Sequence, residues 1–136
     1  MKTIYLDIGS SRIEFVIHRS PDLGNSVDVA IALSWLFNES VFQGMPTILL
    51  LSDLVRLAEY IHAALKDEPD YAYFPMNLGF EFRAYDNDDY VTNIDFFLLV
   101  AEPTDARRSY IGCRGPVLND ALVNFATKLK ELATTS

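Results

Sequence analysis

The chain has 136 residues, is half hydrophobic and 22% charged, and carries a formal net charge of −8. That length supports one domain, spanning 1–136, with a core of its own, and the composition excludes a disordered chain. No run of 18 apolar residues occurs, which excludes a membrane-spanning helix, and a lone cysteine, Cys113, excludes an intrachain disulfide or an all-cysteine zinc site.

The first half reads as strands. Ile4, Leu6 and Ile8 alternate with polar neighbours, Gly9-Ser10-Ser11 supplies turn chemistry, and Ile13, Phe15 and Ile17 resume the period of two. The pair predicts a hairpin. Ser20 to Asn25 is a loop cluster, after which Val27, Val29, Ile31 and Leu33 alternate in a strand that runs on through Trp35, Leu36 and Phe37. A further strand is expected from Glu39 to Gln43, interrupted at Gly44-Met45-Pro46 as a bulge would interrupt it. Ser52 is the expected N-cap of a helix whose stripe is Leu54, Leu57, Ala58, Ile61 and Leu65, ending at Lys66 before Pro69. Leu78, Phe80, Phe82 and Ala84 alternate, Asp86 to Asp89 turn, and Tyr90 to Ala101 reads as a long return strand. A short strand from Tyr110 to Arg114 follows. Pro116 then opens a last helix with Leu118, Leu122, Phe125, Leu129 and Leu132 as its stripe. Helices with one apolar stripe must bury it, so the expected class is α+β: a mostly antiparallel sheet with two helices packed on one face.

The charge is concentrated. Residues 67–105 hold ten acids and one base, Arg83, whereas the remainder is nearly neutral. Such a field repels phosphate backbones, which speaks against nucleic acid, and it attracts a basic partner. Plain solubility is the competing explanation. Met1-Lys2-Thr3 leads into alternating residues rather than the apolar run of a signal peptide, so a cytoplasmic location is expected.

Motifs with chemistry are sparse. Asp7-Ile8-Gly9-Ser10-Ser11 looks like the first phosphate loop of the actin and sugar-kinase superfamily. The second such loop which that superfamily needs does not occur, so a glycine-serine hairpin turn is expected. Asp86, Asp88 and Asp89 fail the EF-hand pattern, because Val91 and Phe97 stand where it needs glycine and glutamate. His18 and His62 lack partners at metal-ligand spacing, so no metal is expected. Cys113 beside Arg114 is weighed as a nucleophile against a small buried residue, and Glu81 with Asp95 as a cross-strand acid–base pair against solvated carboxylates. Tyr71, Tyr73, Phe74 and Tyr90 flank the acidic runs, either as interface anchors or as core.

The order Val27-Asp28-Val29-Ala30-Ile31, Phe42-Gln43-Gly44, Leu51-Ser52-Asp53-Leu54 opening a helix, Leu78-Gly79-Phe80-Glu81-Phe82, a long Tyr90–Ala101 strand and a C-terminal helix resembles the wall-associated-toxin immunity (WapI-like) family, over residues 27–133. The resemblance implies a cytoplasmic bacterial antidote that binds a toxin domain, often a nuclease, and blocks it without catalysis. The residues agree with that in their own terms, since nucleases are basic and their inhibitors acidic. The expectation is therefore a non-catalytic protein with no catalytic, cofactor-binding or metal-binding residue. Its contact surface for a basic protein partner would be Glu68, Asp70, Tyr71, Tyr73, Asp86, Asp88 and Asp89. The alternative is a small-ligand or scaffold-binding domain, which would show an apolar pocket.

Overall fold

The computed structural model describes residues 2–19, 22, 24–35, 41–44, 47–67, 71–75, 79–101 and 109–134. Among these, β1 (Lys2–Ile8), β2 (Ser11–His18) and β3 (Ser26–Trp35) form an antiparallel meander, and β4 (Val41–Gln43) and β5 (Thr47–Leu50) pair in line along the free edge of β3. The helix α1 (Leu51–Lys66) follows. A second antiparallel sheet holds β6 (Phe80–Tyr85), β7 (Val91–Ala101) and β8 (Ser109–Leu118), and α2 (Asn119–Thr134) closes the described chain. The class is α+β, as the order of elements predicts.

The period of two does what it should. Ile4, Leu6, Ile8, Ile13, Phe15, Ile17, Val27, Val29, Ile31 and Leu33 are all buried, so the inner face of the first sheet is apolar along its length. The helices pack on one another; α2 also meets β1 and β8, and α1 meets β5 and β6. Phe15 stands where these layers meet, with ring centroids 5.5 Å from Phe80, 5.8 Å from Phe125 and 6.4 Å from Phe96. One continuous core results.

The structure differs from the sequence reading in the number of sheets, in the end of the final strand and in the start of the first helix, each for a physical reason. The expected single sheet is two. They meet where Gly9 donates its N–H to the Pro116 carbonyl at 3.0 Å, and the Gly9–Ser10 turn has its glycine at φ 58°. Such a two-residue loop wants glycine first, because only glycine takes that φ without strain.

The final strand does not stop at Arg114. It runs through Pro116 to Leu118, and the helix starts at Asn119. Proline is tolerated because its carbonyl points at Gly9 rather than at β7, so the missing N–H lies on the strand's outer edge and costs no ladder bond. Leu118 is accordingly exposed rather than part of the helical stripe, which Leu122, Phe125, Ala126, Leu129 and Leu132 form.

The first helix opens at Leu51, with Leu50 rather than Ser52 in the cap position. Asp53, 2% exposed, turns its carboxylate back to accept the Leu50 N–H at 3.0 Å and holds Arg56 at 2.6 Å. The strand that starts the second sheet begins at Phe80; Leu78 lies outside the described residues. Gly44, with Met45 and Pro46 outside the described residues, falls between β4 and β5 as the predicted interruption. Leu36, Phe37 and Glu39 also lie outside the described residues.

Candidate functional site

The acidic window divides when it is placed in space. Glu68 and Asp70 lie outside the described residues. Tyr71 is exposed and packs edge-on to Tyr60 at 5.5 Å. Tyr73 is the correction: it is 8% exposed, bridges to Phe82 and donates its hydroxyl to the Asp53 carbonyl at 2.7 Å. Burial pushes that phenol well above its ordinary range, and a side chain so enclosed offers a partner no surface. The reason lies in tertiary packing: Tyr73 and Tyr60 fill the gap between α1 and β6, where Tyr60 accepts the Ala84 N–H and donates to the Tyr71 carbonyl.

Asp86, Asp88, Asp89 and Tyr90 form the tip of the β6–β7 hairpin, and all four are exposed. The tip is held from several sides. Asn87 donates to the Ala64 carbonyl in the last turn of α1 at 2.9 Å, and Asn119 at the start of α2 donates its side-chain amide to the Asp88 carbonyl at 2.8 Å. Thr92 donates to the Asn119 side chain at 2.7 Å, and the Asn119 N–H reaches the Tyr90 carbonyl at 2.8 Å. Asp88 itself accepts the backbone N–H groups of Tyr90 and Val91, both at 2.8 Å. Those bonds hold its carboxyl below the ordinary carboxylate range. Asp88 therefore shapes the turn as well as carrying charge, a role the run of acids does not announce. The result is a fixed platform that presents Asp86, Asp89 and the 78%-exposed ring of Tyr90.

A test of that role follows from linkage. A carboxyl whose folded pKa is depressed contributes stability above its unfolded pKa and loses it as pH falls through the folded value. Asp88→Ala is expected to melt below the parent at neutral pH, and the gap should close as the pH is lowered through and below the ordinary carboxylate range. A pH-independent gap in thermal melts would show that the ionised carboxylate does not hold the turn.

The residues weighed for catalysis do not converge. Glu81 faces Phe97 in the hairpin register, and Asp95 faces Arg83, so the two carboxylates are not partners. Asp95 instead takes the Arg114 guanidinium on both oxygens, at 2.8 and 3.2 Å. Burial pushes the Cys113 thiol up to about 11, opposed in part by a hydrogen bond with Ser11, so its thiolate is scarce at neutral pH. His18 is exposed at the end of β2 and His62 is half-buried on α1. Among the described residues no three His, Cys, Asp or Glu side chains gather as a metal would need.

A second surface was not singled out by sequence reasoning. On the outer face of the first sheet Val16 pairs with Ala30, Glu14 with Ala32, His18 with Asp28, and Asp28 with Ile48. These side chains line a cleft of about 630 Å³. Small side chains at Ala30 and Ala32 lower its floor, and Ile48, 55% exposed, walls one side. The signal was present in the sequence as apolar Val16, Ala30 and Ala32 at positions of the alternation that a solvent-facing strand normally gives to polar residues.

No helix among the described residues is long and apolar enough to cross a membrane. Compared with protein-family models and with curated proteins, the chain matches none.

Proposed function

We propose that the chain is a non-catalytic, immunity-type protein of the bacterial cytoplasm that binds a basic, nuclease-like toxin domain and occludes its working surface. The observation that carries the reading is the hairpin tip: Tyr90 is exposed directly after the exposed Asp88 and Asp89 on a platform tied to both helices. Aromatic rings anchor interfaces because they bury much area at little entropic cost, and flanking acids steer a basic partner. Pre-ordering the platform lowers the cost of association further. Tyr71 extends the same end of the molecule through its contact with Tyr60 on α1, and Asp67 follows directly on that helix. The mechanism is steric and electrostatic, and the acidic field keeps nucleic acid away from this protein while mimicking it for the partner. A second reading, a small-ligand or scaffold-binding domain, draws on the outer-face cleft.

The test is association kinetics with the basic protein recovered from source lysate at low salt. Asp89→Lys combined with Asp86→Asn is the suitable variant. Asp86 has φ 48°, where asparagine is tolerated and lysine is strained, and Asp88 must stay to shape the turn. The on-rate is expected to fall about tenfold with a shallower salt dependence. Tyr90→Ala is expected to raise the off-rate by about thirtyfold, as loss of an anchor does. Unchanged rates for both variants would place the contact elsewhere. A partner that keeps its full activity when saturated would reject occlusion.

A further inference from the structure

We propose that the cleft on the outer face of the five-stranded sheet is a docking site for an extended segment of a protein partner, one that presents a basic, an apolar and a second basic side chain at alternate positions. The argument is one of charge and spacing. Glu14 and Asp28 stand near opposite ends of the apolar floor. Glu14 pairs with Ala32, so the two carboxylates are offset by four residues of β3, about 13 Å along the strand direction. In an extended chain residues i, i+2 and i+4 share a face and span that same distance, which sets two cations over the carboxylates and an apolar side chain between them.

The floor suits the middle residue. Val16 and Ala30 are cross-strand neighbours at its centre, and Ile48 stands beside them. Arg12, two residues before Glu14 on β2, is already engaged: it binds both Asp7 oxygens, at 2.6 and 3.2 Å, and lies 4.4 Å over the Tyr5 ring. Asp7 is its hydrogen-bonded partner and Glu14 adds only a lesser Coulombic attraction, which leaves the Glu14 and Asp28 carboxylates to a ligand, with His18 opposite Asp28 in the register. The floor, from β2 across β3 to β5, is about 10 Å wide by strand spacing; a helix with its side chains is 10–12 Å across and would ride on the rim. A protein of net charge −8 makes a second acidic copy of the same chain a poor occupant, and a basic segment a good one.

The experiment is an NMR titration of the isotope-labelled full chain with a lysine–serine–leucine–serine–lysine peptide. Amide shifts are expected to be saturable, to need about millimolar peptide, and to centre on Val16, Ala30 and Ile48. Acetylating both lysines, or making Glu14→Gln with Asp28→Asn, should weaken binding about tenfold and flatten its salt dependence. Ala30→Phe fills the floor from an exposed position and should abolish the shifts, with its own amide spectrum reporting that the fold is kept. Three results would each overturn the proposal: no saturable shifts on this face, undiminished binding to Ala30→Phe, or tighter binding by a helical peptide with lysines nine residues apart. Variants at Asp86, Asp89 and Tyr90 should bind the peptide as the parent does, so this site and the hairpin tip stand or fall separately.

Discussion

Phe15→Ala is expected to destabilise the protein by about 4 kcal/mol, a large part of the total stability of a domain this size. The ring is fully buried on β2 and contacts Phe80 and Phe96 from the second sheet and Phe125 from α2. Removing it takes away transfer free energy, leaves a cavity that three rigid rings are slow to fill, and deletes two edge-on aromatic contacts. In urea titration the midpoint should drop by about 2 M for a slope near 2 kcal/mol/M. Val123→Ala, at an exposed position of α2, is the control and should stay within about 0.5 kcal/mol of the parent. A Phe15→Ala cost below about 1 kcal/mol would mean that the sheets and α2 do not share this core.

The second large effect is expected at Gly115→Ala. A Cβ there would lie 2.9 Å from both the Cα and N of Gly9 and 3.2 Å from the carbonyl carbon of Ile8. All three are backbone atoms, so no side chain can turn aside, and the β1–β2 turn and β8 must separate at the Gly9–Pro116 hydrogen bond. The expected cost is about 3 kcal/mol, or a Tm lower by about 10 °C. Gly24→Ala separates crowding from backbone strain. Gly24 has φ 60° with nothing among the described residues within 4 Å of its added Cβ, so the left-handed penalty of about 1 kcal/mol is the cost expected. Equal melting temperatures for the two variants would show that the sheets do not approach closely at Gly115.

The candidate sites were legible to different degrees. Asp86, Asp88, Asp89 and Tyr90 are where a polar turn between two alternating segments should be, and they are exposed as such turns are. That Asp88 caps its own turn was hidden, since an aspartate serving the backbone and one serving a partner are the same letter. Tyr73 read as surface because it sits among acids, but proximity in sequence to charged residues does not set burial; the gap between α1 and β6 does. The outer-face cleft was divided among β2, β3 and β5, so no local window contained it.

The sequence by itself determined the class, the chain order of the main elements and the inner faces of most strands, because period-two and period-3.6 patterns are local records of which side meets the core. Ile4 to Leu33 and the stripes of both helices follow that rule with few exceptions. Only the tertiary structure decided where one sheet becomes two, how far β8 runs through Pro116, which carboxylate faces which base, and which aromatics are buried. Each of these depends on pairing between distant segments: a register that sets Asp95 against Arg83, a carbonyl of Pro116 turned to Gly9, and a tyrosine hydroxyl that meets the Asp53 carbonyl only once α1 has docked.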